Sequence, residues 1–229
     1  MPVGKLTLIL GTMFGGKTEE LYNLANTLNI HIKKKILFFV PDKNNQRDGE
    51  NILKSHRGTR FCVRNIKCPE EIIALIEGNV HAVFIDEAQF FDEKSLANIV
   101  LGLLLNHYNV YVAGLDSDFQ GKPFTSITSL FPYAHKVIRK NSICTFLNDD
   151  ETLCGNDAVF NQRLTLEGNV ATYGKQIEVG AEEKYAPRCW EHFVWPEDIA
   201  VTTAKIPSCE SINGKTAKDY KEIQIVHYY

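Results

Sequence analysis

Short apolar runs alternate with amphipathic segments through the first 140 residues of the chain. The apolar runs predict strands at residues 6–10, 35–40, 82–85 and 110–113. Between them, apolar residues at helical spacing predict helices over about residues 17–30, 69–78 and 93–106. Because the strands are nearly all apolar, we expect helices to cover both faces of their sheet. This order of elements predicts an α/β fold with a mainly parallel sheet flanked by helices.

Three segments depart from this pattern. Residues 41–59 interrupt the alternation, and within them residues 41–49 are polar, contain glycine and predict a mobile loop. From residue 141 the helical periodicity disappears, and a stretch of 49 residues holds Cys144, Cys154, Cys189 and His192. We therefore expect a larger α/β domain at 1–140, a small metal-binding domain at 141–193 and a weakly patterned, loosely ordered extension at 194–229.

Composition excludes several classes of protein. Apolar residues make up 44% and charged residues 23% of the chain, and the net charge is −3. An acidic balance argues against general nucleic-acid binding, which needs a clustered basic face. No apolar run approaches the length that crosses a membrane, and the first residues lack a signal-peptide core. We expect a cytoplasmic protein, in which cysteines are metal ligands or buried thiols more often than disulfides.

The first predicted strand leads into a phosphate-binding pattern, G-x-x-x-x-G-K-[ST]. In such a loop, backbone N–H groups and the start of the next helix point at anionic oxygens. The lysine contacts the outer phosphates of ATP, and the threonine hydroxyl binds Mg²⁺. The alternative is an ordinary glycine turn. The residues of the pattern are Gly11, Thr12, Met13, Phe14, Gly15, Gly16, Lys17 and Thr18.

Two carboxylates, Asp86 and Glu87, end the third predicted strand. In phosphate-loop enzymes, an aspartate at this place completes the Mg²⁺ site with the loop hydroxyl, here Thr18. A second carboxylate beside it is suited to accept the proton of an attacking hydroxyl group. The alternative is that the two residues only cap the next helix. We include Ala88 and Gln89, which follow directly, in the predicted ATP site.

Aromatic residues follow two of the predicted strands, in segments 87–91 and 114–124. Phenylalanine side chains at these places are either core residues or the walls of a site for a flat, partly polar ligand such as a nucleobase. The residues alone therefore predict a kinase or NTPase that uses Mg·ATP, with the phosphate acceptor left open.

Four sequence segments resemble the cytosolic, zinc-containing (type II) thymidine kinases. They are the phosphate loop with Glu19-Glu20-Leu21, Ser55-His56-Arg57-Gly58, Ile85-Asp86-Glu87-Ala88-Gln89-Phe90-Phe91, and Ala113-Gly114-Leu115-Asp116-Ser117-Asp118-Phe119-Gln120-Gly121-Lys122-Pro123-Phe124. The resemblance continues through residues 158–163 and 179–189, and it spans about residues 4–193.

This resemblance implies that ATP phosphorylates the 5′-hydroxyl of thymidine or deoxyuridine in nucleotide salvage, with Glu87 as the catalytic base. It also implies a zinc-tied lasso domain that closes over the nucleoside, a homotetramer, and feedback inhibition by dTTP. The main chain of the segment from Gln176 to Gly180 would read the pyrimidine. The nucleoside-binding residues implied are Met13, Phe90, Leu115, Phe119, Phe124, Asn161, Gln176, Ile177, Glu178, Val179, Gly180 and Tyr185.

The zinc ligands implied by the family are Cys144, Cys154, Cys189 and His192. Their first half is unusual, because nine residues separate Cys144 from Cys154 where the family has two. Such a spacing loses the tight turn that preorganises two thiolates. The alternative to a structural Zn²⁺ is two unrelated buried cysteines.

Other departures concern the site itself. Arg57 and Asn45 stand where many relatives carry aspartate, and Asn161 replaces a small hydroxyl residue beside the base. These departures leave two alternatives to an active kinase, namely a non-catalytic nucleotide-binding module and a zinc-ribbon NTPase acting on another partner. The larger amide of Asn161 reduces the room for the thymine methyl group, so we expect deoxyuridine to be used as well as thymidine.

Overall fold

The computed structural model describes residues 3–42, 51–54, 60–176, 185–196, 200–207 and 220–227. The chain divides into two compact units, Met1–Phe193 and Val194–Tyr229. Asn45, Arg57 and residues 177–180 lie outside the described residues, so the predictions made for them stay predictions.

The first unit is built on one seven-stranded sheet. Along the chain its strands are β1 (Leu6–Leu10), β2 (Ile36–Pro41), β3 (Asn51–Lys54), β4 (Arg60–Ile66), β5 (Ala82–Ile85), β6 (Asn109–Gly114) and β7 (Ala134–Arg139). In space their order is β3-β4-β2-β5-β6-β1-β7. Every neighbouring pair is parallel except β3 and β4. The predicted mainly parallel sheet is therefore confirmed.

Short helices connect the strands. They are α1 (Lys17–Asn26), α2 (Glu71–Leu75), α3 (Glu93–Leu105) and α4 (Thr125–Thr128). A π-helical turn, Thr27–His31, continues α1. The start of α3 is capped by Asp92, whose carboxylate accepts the Ser95 N–H at 2.9 Å. No helix among the described residues is long and apolar enough to cross a membrane.

Helices cover both faces of the sheet, as the apolar strands require. Leu8 and Leu10 of β1 belong to a core cluster that includes residues of α3 and α4. Ile9, between them, belongs to a second cluster that includes Leu21 of α1. The alternation follows because successive strand side chains point to opposite faces. All four residues of β5 are buried, so the strand that delivers Asp86 and Glu87 lies in the centre of the protein.

Sequence patterns located the central elements well and the outer ones poorly. Strands β1 and β5 have the predicted bounds. Strand β2 begins and ends one residue later than predicted, and β6 is one residue longer at each end. The patterns missed β3, β4 and β7. The loop expected at 41–49 was wrong for Pro41, which ends β2, and residues 43–49 lie outside the described residues. Asn51–Lys54 forms β3 in the part of the chain where no element was predicted.

The cysteine-bearing segment has its own small sheet, formed by β8 (Phe160–Arg163) and β9 (Tyr185–Arg188), which are antiparallel. It belongs to the same compact unit as the large sheet. The division into separate domains at residue 140 stays a prediction. In the second unit, β10 (Ala200–Pro207) pairs with β11 (Tyr220–His227) in antiparallel fashion. The expectation of a loosely ordered extension was therefore wrong for these two strands.

Candidate functional site

The phosphate-binding pattern forms the bend between β1 and α1. Its backbone is unusual, with φ of 133° at Gly11 and 80° at Gly16. A Cβ added at Gly11 or Gly15 would lie 2.1 or 2.0 Å from the main-chain oxygen of Lys140. Lys140 follows β7 and donates its N–H to the Leu10 carbonyl at 2.7 Å. The loop therefore has glycine where the chain after β7 leaves no space for a side chain.

Helix α1 starts with the two side chains predicted to contact phosphate and Mg²⁺. The Lys17 ammonium group donates to the Thr12 carbonyl at 2.6 Å, which holds it across the loop. The Thr18 hydroxyl donates to Asp86 Oδ2 at 2.8 Å. Burial lowers the pKa of Lys17, and the negative charges of Glu87, Asp86 and Asp116 oppose that shift. Thr18 therefore connects the phosphate loop directly to the end of β5.

Asp86 is 4% exposed and sits at the carboxyl end of β5. Burial, together with the neighbouring charge of Glu87, raises the pKa of Asp86 to about 6, although Thr18, the Glu87 N–H and Lys17 oppose the shift. The Glu87 N–H bonds Asp86 Oδ1 at 2.8 Å. A hydroxyl and a carboxylate in direct contact are the hard oxygen donors that Mg²⁺ prefers, so Thr18 and Asp86 fit this ion.

Glu87 is held in place by a buried glutamine. Gln89 Nε2 donates to Glu87 Oε2 at 2.9 Å, and Gln89 Oε1 accepts the Leu115 N–H at 3.1 Å. Because a backbone N–H only donates, the second bond fixes which end of the amide faces Glu87. A Cβ at Gly114 would lie 2.7 Å from Gln89 Oε1, so β6 ends in glycine where this amide packs. The loops after β5 and β6 thus orient the Glu87 carboxylate together.

Several predicted nucleoside-binding residues come together beside this centre. Asn161 on β8 is 2% exposed, and its Oδ1 accepts the Met13 N–H at 2.7 Å. Phe119 is 2% exposed and lies under the Arg163 guanidinium. Arg163 also bonds the hydroxyl of Tyr185. The loop after β6, the small sheet and the phosphate loop therefore meet at one place.

Other predicted residues are placed less directly. Phe90 and Leu115 are half-buried. Phe124 is 6% exposed and belongs to the core cluster of the large sheet, which fits the core alternative as well as the nucleoside wall. Phe14 is 64% exposed. Gln176 bonds Asp118 at 3.1 Å. Four further predicted residues lie outside the described residues, namely Ile177, Glu178, Val179 and Gly180.

The predicted zinc ligands form one cluster. Ligand atoms of Cys144, Cys154, Cys189 and His192 all lie within 4.8 Å of one another. The Cys154 and Cys189 sulfurs are 3.9 Å apart, and His192 Nδ1 lies 3.4 Å from Cys189 Sγ. Three thiols and an imidazole at these separations fit the tetrahedral shell of a structural Zn²⁺. The four residues are therefore a candidate zinc site, and the alternative of two unrelated cysteines does not account for their convergence.

The long spacing between Cys144 and Cys154 is taken up by a small hairpin. Leu147 pairs with Leu153 in antiparallel fashion, and the Cys154 N–H bonds the Phe146 carbonyl at 2.8 Å. The Phe146 ring stacks on His192, with ring centroids 4.0 Å apart. The inserted residues leave and return at adjacent points, so the two thiols still face one another.

Sequence patterns missed three contributors to the site. The main chain of Lys140 packs against the phosphate loop, Gln89 orients Glu87, and Arg163 gathers Phe119 and Tyr185. The sequence placed Gln89 in the predicted ATP site but did not predict that it orients Glu87. The sequence did contain a signal that Arg163 is unusual, because this charged residue directly follows the uncharged run 158–162.

A glycine-rich loop between a parallel strand and a helix defines a P-loop nucleotide-binding protein when its hydroxyl bonds a carboxylate at the end of another strand of the sheet, here the next but one. A family model described as thymidine kinase matches residues 4–193. The chain belongs to the thymidine kinase family, and it is an enzyme that phosphorylates thymidine with ATP. The candidate zinc site is consistent with the zinc-containing form of the family.

The raised pKa of Asp86 predicts a pH-dependent stability. The native carboxyl group binds its proton more tightly than the unfolded one, whose pKa is near 3.8. In magnesium-free buffer, the free energy of unfolding of the wild type relative to Asp86→Asn should fall as pH rises from about 4 to 6, by on the order of 3 kcal/mol. Urea denaturation across this range measures it. Asp149→Asn, at an exposed carboxylate, should follow the wild type. If the free energy of unfolding of the wild type and of Asp86→Asn changed equally with pH, the raised pKa of Asp86 would be contradicted.

The candidate zinc site predicts a defined metal content. The purified protein should contain about one zinc per chain, as a four-ligand structural site requires. Cys189→Ser should lose this zinc, and Cys68→Ser should keep it, because Cys68 is exposed and outside the cluster. Elemental analysis after extensive desalting measures the content. Equal zinc content in Cys189→Ser and Cys68→Ser would contradict the assignment of Cys189 as a zinc ligand.

Proposed function

We propose that the enzyme transfers the γ-phosphoryl group of ATP to the 5′-hydroxyl of thymidine and deoxyuridine in nucleotide salvage, with Glu87 as the catalytic base. The observation that carries this proposal is the contact between Thr18 and Asp86, which joins the phosphate loop to the carboxylate pair. A loop that only bound nucleotide would not need Glu87 oriented by a buried amide, as Gln89 orients it.

ATP phosphates would lie against the main-chain N–H groups of residues 11–18, with Lys17 beside the outer phosphates. Asp86, Glu87, Ala88 and Gln89 border this position from the end of β5. Thr18 and Asp86 would hold Mg²⁺, which supplies charge neutralisation for the β- and γ-phosphates.

The transfer itself needs little chemistry from the protein. The bond between the 5′-oxygen and the γ-phosphorus forms as the bond from that phosphorus to the bridging oxygen of ADP breaks. The hydroxyl proton passes to the Glu87 carboxylate, and ADP leaves with the electron pair of the broken bond. Glu87 is half-buried, and the hydrogen bond from Gln89 to its Oε2 orients the carboxylate that accepts this proton.

We propose that the nucleoside lies between the phosphate loop and the small sheet. Met13 and Asn161 bond each other there, and Phe119 and Tyr185 are joined through Arg163. Phe90 follows the carboxyl end of β5, and Leu115 and Phe124 follow the carboxyl end of β6, so all three come from the same edge of the large sheet. A structural Zn²⁺ at Cys144, Cys154, Cys189 and His192 would hold together the segments that lead into and out of this region. Residues 176–180 are proposed to read the pyrimidine.

Two further properties are proposed from the family resemblance alone. The enzyme would assemble as a homotetramer and would be inhibited by dTTP. Such an end product would occupy the nucleoside site with its phosphates in the loop formed by residues 11–18.

The base assignment predicts a selective loss of turnover. Glu87→Gln should lower kcat by about 10²- to 10⁴-fold, because the amide does not accept the hydroxyl proton. ATP binding, measured by calorimetry, should change little. The control is Glu93→Gln, at an exposed glutamate in the first turn of α3, and it should keep wild-type kcat. Unchanged turnover in Glu87→Gln would refute the assignment.

Asn161 predicts the order of the two substrates. Its amide is buried and fixed by Met13, so it restricts the space proposed for the thymine methyl group. A methyl group in a well-fitting pocket is worth about 10- to 200-fold in kcat/KM. Because the restricted space removes most of this gain, the kcat/KM values for deoxyuridine and thymidine should lie within about tenfold of each other. Asn161→Thr should shift the ratio toward thymidine. A strong thymidine preference of the wild type would contradict this interpretation.

A further inference from the structure

Arg163, the last residue of β8, is a buried arginine with an unusual set of contacts. It is 4% exposed. Its Nη2 donates to the Lys175 carbonyl at 2.8 Å and to the Tyr185 hydroxyl at 3.0 Å, and its Nε donates to the same hydroxyl at 3.2 Å. The guanidinium carbon lies 3.7 Å from the centre of the Phe119 ring. One side chain therefore joins three stretches of the chain that are distant in sequence.

These contacts require the shape of an arginine. The edge of the planar guanidinium donates to two acceptors while its face lies on an aromatic ring, and a lysine ammonium group does not reproduce both. Gly174 makes room for it. A Cβ there would lie 2.6 Å from Arg163 Nη1, and the φ of +140° disfavours any other residue.

The alternation of side chains along β8 explains why Arg163 faces the site. Phe160 packs against Trp190 and Phe193, beside the candidate zinc ligands. Asn161 and Arg163 share the opposite face of the strand. Asn161 contacts the phosphate loop from that face, and Arg163 contacts Phe119 and Tyr185.

The stretch that Arg163 holds at Lys175 has two more attachments to the loop after β6. Gln120 Nε2 donates to the Thr172 carbonyl at 2.8 Å, and Gln176 Nε2 donates to Asp118 Oδ2 at 3.1 Å. The loop that carries Phe119 is thus bonded to residues 172–176 at both ends of that stretch, with Arg163 between them.

We infer that Arg163 is a positioning residue for the nucleoside, because it holds Phe119, Lys175 and Tyr185 in one fixed arrangement. This inference rests on the proposed function, which places Phe119 and Tyr185 against the nucleoside. Arg163 acts through these residues and does not touch the reacting atoms. From β8 it is Asn161 that bonds the phosphate loop, so we expect changes at Arg163 to leave ATP binding nearly unchanged.

The test is a steady-state comparison in which each substrate is varied while the other is saturating. Arg163→Lys should raise KM for thymidine by about tenfold or more, because the ammonium group keeps the charge but loses the fork of hydrogen bonds. KM for ATP should stay within about twofold of wild type. Gly174→Ala should give the same pattern, since its methyl group displaces the guanidinium.

Arg188→Lys is the matched control. Arg188 on β9 also donates to a hydroxyl and a carbonyl, those of Thr145 and Pro187, at 2.9 Å each. Its contacts lie beside the hairpin of residues 145–153, so both KM values should stay at wild-type levels. Zinc content and thermal unfolding, measured on all variants, separate a local effect from general loss of structure.

A second route keeps the test decisive if Arg163→Lys does not fold. Tyr185→Phe removes one acceptor and keeps the ring, and it should raise KM for thymidine alone. In Gly174→Ala the guanidinium is already displaced, so adding Tyr185→Phe should raise this KM by less than the product of the two single effects. Fully multiplicative effects would overturn the inference.

The outcomes separate the inference from the proposed function. A wild-type enzyme that transfers phosphate to thymidine, with Arg163→Lys leaving KM for thymidine unchanged, overturns the inference alone. Equal increases in both KM values, or the same increase in Arg188→Lys, also overturn it. A wild-type enzyme that transfers no phosphate from ATP to thymidine overturns the proposed function and this inference with it.

Discussion

The hydrogen bond from Thr18 to Asp86 is the contact on which the site depends. It joins the first turn of α1 to the end of β5 at 2.8 Å, although the two residues are far apart in sequence. Burial of Asp86 raises its pKa and so disfavours the ionised carboxylate. The Thr18 hydroxyl, the Glu87 N–H and the charge of Lys17 act in the opposite direction and stabilise the ionised form. Without that contact, the phosphate loop and the carboxylates would be two unrelated features of one sheet.

The sheet makes this contact possible. Strands β5, β6 and β1 are adjacent and parallel, so their carboxyl ends and the loops that follow lie at one edge. The phosphate loop follows β1, the carboxylates follow β5, and the loop with Phe119 follows β6. Close packing at this edge explains the glycines. Gly11 and Gly15 face the Lys140 main chain, and Gly114 faces Gln89.

Much of this site could be predicted from the sequence, because its motifs are local. The phosphate loop is one contiguous run of residues, and Asp86 and Glu87 are adjacent in sequence. Each of these two motifs directly follows an apolar strand. The zinc ligands were predictable from residue type and family resemblance, although the hairpin between Cys144 and Cys154 was not. Its pairing of Leu147 with Leu153 has no periodic signal over so few residues.

What the sequence could not provide is the set of contacts between distant segments. Strand β7 is an edge strand, mostly exposed, with the mixed sequence Ala134-His135-Lys136-Val137-Ile138-Arg139, so no apolar pattern marked it. The roles of Gln89, Lys140 and Arg163 depend on partners elsewhere in the chain. Such roles follow from packing, and no local pattern of residues encodes them.

A crystal structure with thymidine and an ATP analogue that cannot transfer its γ-phosphate would test the central claim most directly. Our account predicts that the phosphates contact the main chain of residues 11–18 and Lys17. It also predicts that the thymidine 5′-oxygen lies within hydrogen-bond distance of the Glu87 carboxylate. A complex with the thymidine 5′-oxygen out of reach of Glu87, or with the phosphates outside the loop, would contradict it.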